Sequence, residues 1–315
     1  MINKLMNLLV QTQPSLYREV LEVFSEHIID ERNGYYVLAD PYPDVKHKPL
    51  LLCHLDTCNM DHNVMFKHEI VHTEIERVIG ISDNYPGRCL GGDDRCGVYL
   101  AKELYANREE NKTKFAYLFL FDEEIGLIGS REFGRSGLWK NYGCFIGLDR
   151  KSGNGGDEVA AYGFDNDELF KIFEGHGFKK TEGTITDCSE VSEATLTDDD
   201  TAVACLNMSV GYDHEHTKNE IIHLDALKRS LETLKEIEIP LKSYECEYVE
   251  QAWWGNYRGF GNGRRYDVAY GQSTNLGYFD PFPVICDVCH EHEKLYETEF
   301  GTQLCDSCKT TLENQ

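Results

Sequence analysis

The sequence predicts an α/β protein with a mostly parallel central sheet covered by helices, followed by a small four-cysteine module. Three observations predict this. Short, nearly continuous apolar runs alternate with segments of helical periodicity. Acidic residues and histidines stand directly after those runs, where parallel sheets collect functional groups. The C-terminal segment carries two C-x2-C pairs.

The elements follow in order. Leu16, Val20, Val23, Phe24 and Ile28 recur at helical spacing after the start signal Pro14-Ser15, which predicts an amphipathic helix. Tyr35 to Ala39, Leu50 to Cys53, Phe115 to Phe121 and Cys144 to Leu148 read as buried strands, and Val98 to Leu104 and Ala226 to Ile239 as helices. Residues 1–245 form the expected main domain. A linker spans 246–283 and becomes rich in glycine and aromatic residues from Gln251 onward. Its Arg and aromatic residues could stack on single-stranded nucleic acid, but a tether lying on an acidic domain is the favoured reading. Residues 284–315 form the last module.

Composition narrows the function classes. The chain has 315 residues, 41% hydrophobic and 27% charged, with a mean hydropathy of −0.47 and no apolar run near the ~18 residues that a membrane span needs. The Gln-Thr-Gln-Pro stretch after the first apolar patch is no signal-cleavage site, so a cytoplasmic location is expected. The 31 Lys and Arg against 55 Asp and Glu give a formal charge of −24, which repels nucleic acid and anionic membrane.

Twelve cysteines without an export signal argue for free thiols and metal ligation. Cys286-x2-Cys289 and Cys305-x2-Cys308, separated by fifteen residues, have the spacing of a closed tetrahedral zinc site. A module this small needs such a metal to stay folded. Four cysteines leave no open coordination position, so this zinc is structural. The others, Cys53, Cys58, Cys89, Cys96, Cys144, Cys188, Cys205 and Cys246, read as small core hydrophobes.

The chemistry-bearing residues lie at strand exits. Leu50 to Cys53 runs into His54-Leu55-Asp56, and Leu90-Gly91-Gly92-Asp93-Asp94 precedes a helix. Phe115 to Phe121 exits into Asp122-Glu123-Glu124, and Cys144 to Leu148 into Asp149. Gly211 to Glu220 packs His214, His216 and three acids into ten residues. Each alone is compatible with a solvated loop. Five in succession are the inventory that two divalent cations need.

This order, His-x-Asp, Gly-Gly-Asp-Asp-x-x-Gly, Asp-Glu-Glu-x-Gly, strand-Asp and His-Thr-x-x-Glu, resembles the co-catalytic di-zinc exopeptidase superfamily over roughly residues 10–240. The resemblance implies a phosphorylase/hydrolase-like fold. It makes Asp93 the carboxylate bridging two zinc ions, with His54 and Asp149 completing one site and Glu124 and His216 the other. Glu123 becomes the general base and Asp56 the partner that orients His54. His216 has the four-residue spacing to Glu220 that the pattern requires, and His214 competes. Only 66 positions separate Asp149 from His216, which predicts a compact form without a lid domain. The four-cysteine module has no counterpart in the pattern.

The expected activity is therefore hydrolysis of an amide bond in a small peptide or acylated amine, aminopeptidase-like in the leading reading. Asp122, Asp187, Asp213 and Glu215 are candidates to hold a free α-amine. A carboxypeptidase or N-acyl-amino-acid deacylase would instead use an arginine, for which Arg95, Arg135 and Arg150 are available. A third reading is a non-catalytic protein that recruits a protein partner through the zinc module and aromatic tether.

Overall fold

The computed structural model describes residues 2–58, 70–73, 78–81, 89–153, 155–183, 186–217, 219–248, 295–297 and 303–305. The chain divides into two compact units, Met1–Gln251 and Ala252–Gln315. The first begins with α1 Ile2–Leu9, α2 Gln13–Phe24, β1 Ile28–Arg32, β2 Tyr36–Ala39, β3 Lys48–His54, β4 Ile70–Thr73, β5 Val78–Ile81 and α3 Gly92–Ala106. There follow β6 Ala116–Leu120, α4 Ile128–Ser136, β7 Tyr142–Arg150, β8 Glu158–Ala160, α5 Asp167–Glu174, β9 Lys179–Thr181 and α6 Asp187–Glu193. β10 Thr201–Val203, β11 Cys205–Ser209, β12 Tyr212–Asp213, β13 Ile221–His223, α7 Leu224–Glu236 and β14 Glu245–Glu247 complete it. In the second unit β15 Leu295–Glu297 pairs antiparallel with β16 Gln303–Cys305. Cys286, Cys289, Cys308 and most of the 246–283 linker lie outside the described residues; Cys305 is the last residue of β16.

Eight strands form one sheet in the order β1-β2-β6-β3-β7-β11-β8-β9. The centre, β6-β3-β7-β11, is parallel throughout, as is the β8/β9 pair, while β1, β2 and the β11/β8 pairing are antiparallel. Every residue of β3 and β6 is buried, which is why their sequences run apolar without alternating. β3 and β7 contact both α3 and α6, so the central strands carry helices. Strands β8, β9 and β11 come from the segment between Asp149 and His216, which accordingly extends the core sheet. A smaller antiparallel sheet, β12-β13-β5-β4, stands beside it. Among the described residues no helix is long and apolar enough to cross a membrane.

Local sequence sets the boundaries. α2 starts behind Thr12, whose side chain accepts from the Ser15 amide, with proline in the first turn. It ends at Phe24, short of the expected Ile28, which instead opens β1. The β-branched Ile28-Ile29 pair favours the extended chain there. α7 stops at Glu236 because Ile237 is already extended, ahead of Pro240. α3 approaches β7 closely: a Cβ on Gly97 would fall 2.2 Å from the Leu148 carbonyl. Of the eight cysteines outside the C-x2-C pairs, seven are buried, but Cys58 is only half-buried because it stands in the loop that leaves β3.

One buried ion pair supports the start of β3. Lys48 is fully buried, with Nζ 2.7 Å from Asp40 Oδ2 and 2.7 Å from the Val45 carbonyl. Removing one member leaves the other charge uncompensated. Lys48→Met should therefore cost about 3–5 kcal/mol, whereas Asp40→Asn with Lys48→Met should recover much of that loss. Denaturant unfolding of both variants measures the difference, and equal stabilities for the two would contradict it.

Candidate metal centre

The parallel arrangement of β6, β3 and β7 brings three strand exits to one edge. β3 ends at His54, β6 is followed by Glu123 and Glu124, and β7 carries Asp149 near its end. The fourth component is Asp93, at the start of α3, where Asp93 and Asp94 depart from helical backbone angles. The fifth, His216, comes from the loop between β12 and β13, and its side chain is half exposed.

Asp93 is the centre of this arrangement. Its Oδ1 lies 2.9 Å from His54 Nε2, and its Oδ2 lies 3.1 Å from His216 Nε2. His54 Nε2 is also 3.6 Å from Asp149 Oδ1, and His216 Nε2 is 3.0 Å from Glu124 Oε1. That Glu124 oxygen makes no aligned hydrogen bond despite the short approach, as expected of donors that face a common point. Three groups, His54/Asp93/Asp149, Asp93/Glu124/His216 and His54/Glu123/Glu124, have ligand atoms within 4.8 Å of one another and could hold a metal ion. Imidazole and carboxylate donors of this kind suit a borderline cation such as zinc. His214 is exposed and in none of these groups; its carbonyl accepts from Thr217 Oγ1.

Other residues fix these candidate ligands. Asp56 is fully buried, and Oδ1 lies 3.2 Å from His54 Nδ1. The same carboxylate accepts from the amides of Glu123 at 3.1 Å and Glu124 at 3.0 Å, so it joins two strand exits. Burial pushes its pKa up, but the His54 contact and those amides outweigh burial and hold it below the usual range. Asp94 turns away from Asp93 and accepts from the His54 and Gly97 amides. Asp122 also turns away, with φ +59° and Oδ1 accepting from Gln13 Nε2.

Three supports were not assigned such roles from sequence. Glu220, 1% exposed, accepts from the Gly91 amide at 2.8 Å and the Asp93 amide at 3.1 Å. Asn207 clamps the backbone of Asp149 by accepting from its amide and donating to its carbonyl. Tyr212 donates to Asp149 Oδ1 at 3.0 Å, and a Cβ on Gly92 would lie 2.9 Å from Tyr212 Cβ. Glu220 carried a signal through its spacing from His216. Asn207 and Tyr212 carried none, because a lone Asn in an apolar strand and one Tyr in a polar loop look ordinary.

The arginines are also resolved. Arg95 is buried and donates to the Leu55, Asp56 and Gln11 carbonyls, supporting the turn after His54. Arg135 pairs with Glu132 on the surface, and Arg150 donates to Glu158 and the Glu182 carbonyl. Among the four acids, Glu215 pairs with Lys151, and Asp213 accepts from the His214 amide. Asp187 differs: it is 5% exposed and neither oxygen makes a hydrogen bond. Burial pushes it up to about 7, against the pull of His54 and the neighbouring Ser130 hydroxyl toward the charged form.

No protein-family model matches the sequence, and neither does any curated protein. Solved structures do match. Aminopeptidase PepT of Bacillus cereus superposes with a TM-score of 0.56 at 12% identity, covering 75% of this chain and 97% of its own. A tripeptidase of Staphylococcus aureus gives 0.55 at 13%, covering 74% and 96%. The TET1 peptidase of Pyrococcus horikoshii gives 0.51 at 13%, covering 71% and 94%. The chain thus has the fold of the exopeptidases that its motifs resemble. At these identities the likeness is one of fold.

Several of these groups favour a bound proton, which a cation would have to displace. The adjacent carboxylates of Asp93 and Glu124 push His216 up to about 11. For His54, burial opposes protonation, but Asp149, Asp56 and Asp93 prevail and raise it well above its ordinary value. Burial, then the charge of Asp93, pushes Asp149 up to about 7. As metal ligands these groups would have to lose protons, so metal affinity should rise with pH from 6 to 8 and uptake should release protons. Calorimetric titration of the metal-free protein in buffers of different ionisation enthalpy measures that release. A pH-independent affinity with no proton release would contradict it.

Proposed function

We propose that this chain is a two-zinc aminopeptidase that removes residues from small peptides. The observation that carries the reading is the two-sided contact of Asp93, one oxygen toward His54 and the other toward His216. A carboxylate so placed can bridge two cations, with His54 and Asp149 serving one, and Glu124 and His216 the other. Bound there, the zinc pair supplies an acidified water and polarises the scissile carbonyl.

The chain's own residues do the rest. Glu123 neighbours the ligand Glu124 and is the general base, taking a proton from the attacking water and passing it to the leaving amine. Burial pushes Glu123 up to about 10 in the metal-free protein; cations would lower it toward the working range. Asp56 holds the His54 ring by its second nitrogen and fixes the Glu123 and Glu124 backbone. A third zinc, in the four cysteines Cys286, Cys289, Cys305 and Cys308, belongs to this proposal as a structural ion.

Asp187 favours the aminopeptidase reading over a carboxypeptidase. It is a buried carboxylate without a hydrogen-bond donor, close enough for its charge to act on His54 and Glu123. A substrate α-ammonium would supply both charge and donors. Arg95 and Arg135, by contrast, are committed elsewhere.

Two experiments test this. Glu123→Gln should lower kcat by about 10²–10⁴-fold with both site metals retained, whereas Glu124→Gln should also lose metal by elemental analysis. Near-native turnover in Glu123→Gln would remove that residue from its role. The wild-type chain should cleave an aminoacyl amide and spare its N-acetyl counterpart. Asp187→Asn should raise KM for the free-amine substrate by roughly 30-fold, about 2 kcal/mol, the lower end of the cost of an unpaired buried charge. Preference for the N-acetyl substrate in the wild type would instead favour a deacylase.

A further inference from the structure

Cys58 and Cys89 stand four residues on the far side of two ligands, Cys58 after His54 and Cys89 before Asp93. Their thiols are within hydrogen-bond reach of each other. The chain segments beside them are close as well: a Cβ on Gly91 would lie 3.9 Å from Thr57 Cβ, so the backbone after Cys89 runs against the backbone before Cys58. Neither cysteine serves the proposed hydrolysis.

Access distinguishes this pair. Cys53, Cys89, Cys96, Cys144, Cys188, Cys205 and Cys246 are buried, and Cys58 is half-buried. Cys188 and Cys205 also lie together, but both are 1% exposed, so an oxidant in solvent meets neither sulfur. At the first pair an oxidant can reach Cys58, and Cys89 waits behind it. We propose that Cys58 and Cys89 are a redox-modification site that closes to a reversible disulfide under peroxide and thereby loosens the adjoining metal centre.

The chemistry balances. The Cys58 thiolate attacks one peroxide oxygen, breaking the O–O bond and leaving a sulfenic acid and one water. The Cys89 sulfur then attacks the Cys58 sulfur, its proton leaves with the displaced hydroxide as a second water, and the S–S bond forms. Two thiols and one hydrogen peroxide give one disulfide and two waters. A dithiol reductant reverses the change.

Closure couples to the site through Glu220. A disulfide holds its sulfurs at about 2.05 Å, shorter than a thiol–thiol contact, so bond formation draws the Cys89 segment toward Cys58. That segment runs directly into Gly91 and Asp93, whose amides Glu220 holds at 2.8 and 3.1 Å. Displacing them shifts the carboxylate that faces both histidines.

The test uses the full chain loaded with zinc. Wild type and Cys58→Ser are treated with hydrogen peroxide, and the peptides are mapped by mass without reduction. Wild type should yield the Cys58 and Cys89 peptides joined and lighter by two hydrogens. Metal retained after dialysis is compared with identically treated Cys58→Ser, which removes any contribution from the C-terminal cysteines. Oxidised wild type should bind its site metals at least ~10-fold more weakly than that control, the size of effect seen when ligand supports are disturbed, and dithiothreitol should restore them. Over-oxidation of Cys58 without the joined peptide overturns the proposal. So does a joined peptide with metal affinity unchanged. Neither readout requires turnover, so absence of peptidase activity would count against the proposed function and leave this test intact.

Discussion

The repulsion among carboxylates at the carboxyl edge of the sheet is the constraint to which the rest of the site answers. Asp56, Asp93, Asp149, Glu123, Glu124 and Asp187 crowd around two imidazoles, and several are buried. Burying unpaired carboxylates is expensive, and the chain meets the expense in distinct ways. Asp56, Asp94 and Glu220 take backbone amides. Asp93 takes the histidines. Asp149, Glu123 and Asp187 are left with raised pKa values, and so, despite their amides, are Asp94 and Glu220, burial being the main cause in each. The electrostatic deficit is thus concentrated where ligands and substrate are proposed to sit.

The scaffold makes this crowding possible. Parallel pairing of β6, β3 and β7 delivers three strand exits to one edge, and α3 begins beside them. Gly97 lets α3 come within backbone distance of β7, which sets Asp93 in one cluster with His54 and Asp149. Strand sequence and site sequence therefore serve one design, in which buried apolar runs fix where the acids emerge.

Much of this was legible in the sequence, and the gaps have physical reasons. The central strands announced themselves because a strand buried on both faces has no polar positions. His54, Asp93, Glu124, Asp149 and His216 were recognisable by their order, and each falls in at least one of the overlapping groups of three that could hold a metal ion. α1, an eight-residue helix, left too few turns for its periodicity to stand out. The edge strand β1 was absorbed into the preceding helix because Ile28 falls in the same apolar period. The supports were least legible. Asn207 and Tyr212 act through contacts between residues some sixty positions apart, and the commitment of Arg95 to three carbonyls is invisible without the turn that it fills.

The triple engagement of Asp56 gives the two halves of the centre different dynamic characters. Because it ties the exit of β3 to the amides that follow β6, the positions of His54, Glu123 and Glu124 are written into neighbouring strands of the sheet. They are disturbed when that sheet opens, an event on the scale of global unfolding. His216, half exposed, stands in the loop between two short strands, where a local opening does not require the sheet to open. The candidate centre is therefore half bedrock and half hinge, and ions bound as proposed would come and go past the histidine that the core does not hold.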